Sequence, residues 1–90
     1  MQNTTDNTIL DIAKSLVYGD RRADYGDVRI GFENAASIAS TLTDKQLDAE
    51  DIVKIMIAVK LSRESVKHKR DNLIDAAGYL ELLDILKEKS

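Results

Sequence analysis

The sequence predicts an all-α, compact four-helix domain, and three observations carry that expectation. The 90 residues contain no proline, the strongest helix breaker. Leucine, isoleucine and alanine supply most of the apolar content, a palette that favours helices over strands. Apolar residues also recur at spacings of three and four in four separate stretches, at about 8–18, 28–42, 49–66 and 71–87.

The polar start predicts disorder over residues 1–7. Thr8 and Asp11 then have the pattern of a capping box. Ile9, Ile12, Ala13, Leu16 and Val17 form one side of the first helix, Asp11, Lys14 and Ser15 the other, and Gly19 ends it. Asp27 is placed to cap the second helix, which turns Val28, Phe32, Ala35, Ala36, Ile38, Ala39 and Leu42 toward the core. Thr43-Asp44-Lys45-Gln46 repeats the capping-box pattern and predicts a short helical turn, after which Asp48 caps the third helix.

The third helix is apolar almost all round, in Ile52, Val53, Ile55, Met56, Ile57, Ala58, Val59 and Leu61, which predicts the most buried element. A basic hinge, Lys67-His68-Lys69-Arg70, leads to the fourth helix, with His68 exposed. That helix has more than one apolar face, so a homo-oligomer is expected, joined through the first or fourth helix, with Leu82 and Leu86 as interface candidates.

Composition narrows the function. Ninety residues make one domain, burying roughly two-thirds of the unfolded surface. Without cysteine there are no disulfides or thiolate ligands, and one histidine is too few for an ordinary zinc site. No basic and apolar leader and no membrane-length apolar run occur, so the expected place is the cytoplasm, with no membrane partner. A net charge of −3 argues against general nucleic-acid binding.

Chemistry concentrates in the loop Tyr18-Gly19-Asp20-Arg21-Arg22-Ala23-Asp24-Tyr25-Gly26-Asp27, where Tyr-Gly-Asp occurs twice around two arginines. Glycine allows close backbone approach, arginine offers a planar fork for phosphate, and tyrosine gives a ring for stacking. The same residues would also serve as plain helix stops, caps and solvated charges. A helical wheel places Lys60 and Arg63 on the side of Ile52, Val53 and Met56, and Asp71, Asp75 and Gly78 on the side of Leu82. Both pairs are thus expected to point inward. An antiparallel hairpin of helices three and four would set Lys60 opposite Asp75, and Arg63 opposite Asp71 or Asn72. Inward charge needs a reason, because a buried ion pair adds little stability over apolar residues. Either these charges fix the hairpin register, or Lys60 and Arg63 hold phosphates while Asp71 and Asp75 orient them, bind Mg²⁺ or accept sugar hydroxyls.

Over nearly its whole length the chain resembles a family of small phage and prophage proteins of largely unassigned function. The shared features are the loop Tyr18 to Arg21 ending in Asp24 to Gly26, a helix containing Phe32, the pair Lys60 and Arg63, and the set Asp71, Asp75, Gly78 and Tyr79. A remoter likeness is to MazG-type all-α nucleoside triphosphate pyrophosphohydrolases, which hold Mg²⁺ on paired acidic motifs. This chain departs from them, since Ala36 and Ser37 follow Glu33, and Asp71 and Asp75 stand four apart. The expected site is therefore Tyr18, Asp20, Arg21, Arg22, Asp24, Tyr25 and Gly26 with Lys60, Arg63, Asp71, Asp75 and Tyr79, with no residue assigned to catalysis. The expected function is binding of a phosphorylated, nucleotide-like ligand, for instance to sequester a nucleotide signal used in host defence. Mg²⁺-dependent pyrophosphohydrolysis is the enzymatic alternative, with Asp71 and Asp75 as ligands, and a protein-binding inhibitor or assembly module the third.

Overall fold

Four helices, α1 (Ile9–Tyr18), α2 (Val28–Thr43), α3 (Ala49–Val66) and α4 (Arg70–Lys89), follow one another in a computed structural model that describes residues 8–19 and 28–89, and caps written into the sequence set several of their limits. The expected disordered start, the Asp27 cap and the loop residues Asp20 to Gly26 lie outside the described residues.

The α1 capping box is formed, with Asp11 N–H donating to Thr8 Oγ1 at 3.1 Å and Thr8 N–H to Asp11 Oδ2 at 3.4 Å. Gly19 N–H closes α1 onto the Ser15 carbonyl at 2.8 Å. A Cβ at Gly19 would lie 2.3 Å from that same oxygen, so a side chain there is excluded. α2 ends in a Schellman arrangement, in which Asp44 takes a left-handed φ of 56° and Lys45 N–H reaches back to the Ser40 carbonyl at 3.3 Å. This corrects the short helical turn expected over 43–46. Thr43 is the last residue of α2, Asp44 is its cap, and Ser40 Oγ ties the linker down by bonding both Leu47 N–H (2.9 Å) and Leu47 C=O (3.1 Å). Asp48 caps α3 as expected, reciprocally with Asp51 at 2.8 and 3.0 Å.

Helices α3 and α4 form the expected antiparallel hairpin. Its register is marked by Glu50–Lys87 at 2.9 Å, Lys60–Asp75 at 2.9 Å, and Asn72 Nδ2 donating to Glu64 Oε1 at 3.3 Å. Lys60 therefore faces Asp75 as the wheel predicted. Arg63 and Asp71 do not face inward; both are exposed, and buried Asn72 bonds Glu64 rather than Arg63. Glu64 also accepts Lys69 N–H at 3.0 Å and meets Nδ1 of the exposed His68. The His68 contact, then the Lys69 bond, hold the Glu64 carboxyl below its ordinary range.

α1 packs on α4, and α2 on α3. Ala49, Val53 and Leu86 are buried where the hairpin closes, with Phe32, Ile57, Tyr79 and Leu83 packed around them. Three packing expectations need correction. α3 is not the most buried element: it leaves Ile55, Leu61 and Val66 exposed, whereas Asn72, Ile74, Ala76 and Leu86 of α4 are buried. Ile38 and Leu42 of α2 also face solvent. Leu86 is core rather than interface, at 1% exposure, and the large apolar residues left in solvent lie mainly on α2 and α3.

Two outcomes follow. Gly19→Ala should cost about 1–3 kcal/mol in chemical denaturation, since the new methyl meets a backbone carbonyl that can move only by opening the last turn of α1. For Glu64, a lowered folded pKa means its stabilising contribution is present above the unfolded value near 4.5 and is lost as pH falls through the lower folded value. The stability difference between the unaltered chain and Glu64→Gln should thus be steady near neutral pH and shrink below about pH 4.5 in acid melts; a difference that grows with acid would contradict the assignment.

Candidate functional site

Because α1 leans on α4 and α2 on α3, the two outer helices have little direct contact and a cleft opens between them. Ala13, Leu16 and Val17 of α1 form one wall, and Val28, Gly31, Phe32 and Ala35 of α2 the other. The hairpin supplies the floor through Lys60, Ile74, Asp75, Gly78, Tyr79 and Leu82. At about 580 Å³ the cleft falls in the size range of small-molecule sites.

Two glycines shape it differently. At Gly78 an added Cβ would sit 3.7 Å from a Val17 methyl, so this glycine lies at the α1–α4 contact. Among the described residues an added Cβ at Gly31 would meet nothing within 4 Å, so this wall stands back from the cleft.

Lys60 and Asp75 are the charged residues of the cleft lining, paired through Asp75 Oδ2 at 2.9 Å with side chains 16% and 32% exposed. The pair leaves hydrogen-bonding capacity over. Among the described residues Asp75 Oδ1 has no partner, and the Lys60 ammonium uses one of its three donors. Apolar walls and a polar floor with open valences can hold a flat, mostly apolar ligand and fix its orientation.

Of the expected site residues, the structure brings Lys60, Asp75 and Tyr79 together in this cleft. Tyr18 is exposed and its hydroxyl donates to Glu81, tying α1 to α4 outside the cleft lining. Arg63 and Asp71 lie off the lining. Asp20, Arg21, Arg22, Asp24, Tyr25 and Gly26 are outside the described residues. Among the described residues no group of three or more His, Cys, Asp or Glu side chains could hold a metal ion, and Asp75 is engaged by Lys60. Gly31 was missed as a site residue, because its place in the helical pattern gives no sign of the space opposite it. Phe32 was read as core and does both jobs, packing against the cluster of Ala49, Val53 and Leu86 while lining the cleft.

Residues 8–87 match a family described as Domain of unknown function (DUF6378). The "Gene 55 protein" of Mycobacterium phage D29 is 30% identical over 83 residues, covering 91% of this chain and 55% of the relative. The "Gene 55 protein" of Mycobacterium phage L5 is 31% identical over 80 residues, covering 86% and 51%. The chain thus spans about half the length of the curated relatives it matches. No solved structure matches. A match spanning nearly the whole described fold, together with these phage relatives, bears out the resemblance to a small phage family: the chain belongs to the Domain of unknown function (DUF6378) family.

Proposed function

We propose that this chain is a binding module for a nucleotide, held in the cleft between α1 and α2. The carrying observation is the floor of that cleft, where an accessible ion pair with unused hydrogen-bonding capacity sits among apolar walls that include the rings of Phe32 and Tyr79. A base is a flat ring with an apolar face and a polar edge, and such walls suit it. Asp75 neutralises Lys60, so the floor suits a base better than a phosphate. Phosphates fit better toward the start of α2 at Val28, because Arg21 and Arg22 stand a few residues before it in the sequence. Arg63 and Asp71 drop out of the proposed contacts because they are exposed and off the lining. Asp75 held by Lys60 and Asp71 turned to solvent favour retention of the nucleotide over its Mg²⁺-dependent hydrolysis. In a phage-type protein, such binding would serve to withdraw a nucleotide signal from the host.

A thermal-shift screen against nucleotides tests this, since a ligand at 100 times its Kd adds about 2.7 kcal/mol of stability. Gly31→Trp is the matching variant. Its new side chain starts in open space, so the fold should melt within about 1 kcal/mol of the unaltered chain while the ring fills the cleft and abolishes the ligand shift. A full ligand shift in Gly31→Trp would overturn the assignment of the cleft.

The outer face of α2 favours a second, compatible property, self-association. Ile38 and Leu42 are 62% and 80% exposed, and no charged residue occurs from Asn34 to Thr43. Interfaces are depleted in charge, and a two-fold axis would lay this face against itself without like-charge repulsion. Sedimentation should show a dimer at micromolar concentration, shifted at least tenfold toward monomer by Leu42→Asp; a monomeric unaltered chain would overturn the proposal.

A further inference from the structure

The floor of the cleft also carries information about which base it would take. Resting on the nucleotide reading above, we propose that the Lys60–Asp75 pair selects bases whose polar edge sets a carbonyl beside a ring N–H, namely guanine and uracil, over the amino bases adenine and cytosine. The pair presents a cationic donor directly beside an anionic acceptor, 2.9 Å apart, with two ammonium donors and carboxylate Oδ1 still open among the described residues. A ligand can therefore use both groups at once without breaking the ion pair.

The complementary edge has an acceptor beside a donor. Guanine offers its 6-carbonyl next to N1–H, and uracil its 4-carbonyl next to N3–H. In both, the oxygen would accept from the Lys60 ammonium while the ring N–H donates to Asp75 Oδ1, two charge-assisted bonds side by side. Adenine and cytosine also place a donor beside an acceptor, but theirs are an amino group and a ring nitrogen. The amino N–H is less acidic than a ring N–H flanked by a carbonyl, so it gains less from a carboxylate. A ring nitrogen also has one in-plane lone pair where a carbonyl has two, so the ammonium finds fewer good approaches. The preference is thus one of bond strength, two stronger charge-assisted bonds against two weaker ones in a largely apolar surround. The open wall at Gly31 leaves space for either ring size, so the edge and not the bulk of the base sets the preference.

The test is calorimetric titration of the full chain with GTP, UTP, ATP and CTP, with circular dichroism melts of every variant. GTP and UTP should bind at least tenfold tighter than ATP and CTP. Asp75→Asn keeps an acceptor for Lys60 but turns an amide N–H toward the ligand, opposing N1–H or N3–H. It should weaken GTP and UTP at least tenfold and erase their advantage, while its melting temperature stays close to that of the unaltered chain. If Asp75→Asn does not fold, Gly31→Trp still checks that the measured binding is in the cleft, and the four-nucleotide ranking alone decides. Equal affinities within twofold, or a preference for ATP and CTP, overturn the edge assignment and leave the cleft as a nucleotide site. Binding by none of the four overturns the nucleotide reading itself, and the edge assignment falls with it.

Discussion

The alignment of α3 against α4 is the constraint on which the other features rest. Slipping one helix by a turn would separate Lys60 from Asp75, Glu50 from Lys87 and Glu64 from Asn72 together, and would take Leu86 away from Ala49 and Val53. None of these polar contacts is a strong source of stability on its own, because exposed and half-exposed pairs contribute about 0–1 kcal/mol. Their effect is on which alignment wins. Two helices as apolar as these could pack in several registers of similar burial, and polar partners at both ends and the middle penalise all but one.

The same alignment makes the cleft. Once the hairpin is fixed, α4 has one flank free for α1, while α2 settles on α3, and each outer helix buries its own apolar face on a different member of the hairpin. Among the described residues the space between them is left open because several facing residues are small, in Gly31, Ala35, Ala13 and Gly78. A chain of this size has few apolar side chains to spare, and those that could have closed the gap, Ile38 and Leu42, turn outward.

Much of this was legible in the sequence, and the failures share a cause. Thr8 with Asp11, Gly19 and Asp48 act within three or four residues of themselves, so their roles survive any tertiary arrangement. Lys60 opposite Asp75 was legible too, because a short hinge leaves little choice of alignment. Arg63 and Asp71 were misplaced because a helical wheel knows only the helix's own axis: close to the hinge the helices end, solvent reaches both charges, and the buried Asn72 takes Glu64 instead. The burial of α3 was overestimated for a related reason. Its apolar residues run all round, but only as many faces are covered as there are neighbours to cover them. Gly31 could not be recognised from periodicity, since its significance lies in the space opposite it.

α1 has ten residues, fewer than an isolated helix needs to hold together in water. Its helical form therefore depends on Val17 resting at Gly78 and on the tie from Tyr18 to Glu81. One wall of the cleft is accordingly an element that melts if it detaches, so the cleft cannot widen much by swinging a rigid arm. Opening it is a local folding equilibrium, and the temperature at which α1 frays sets the temperature above which the cleft no longer exists, even while the hairpin and α2 remain folded.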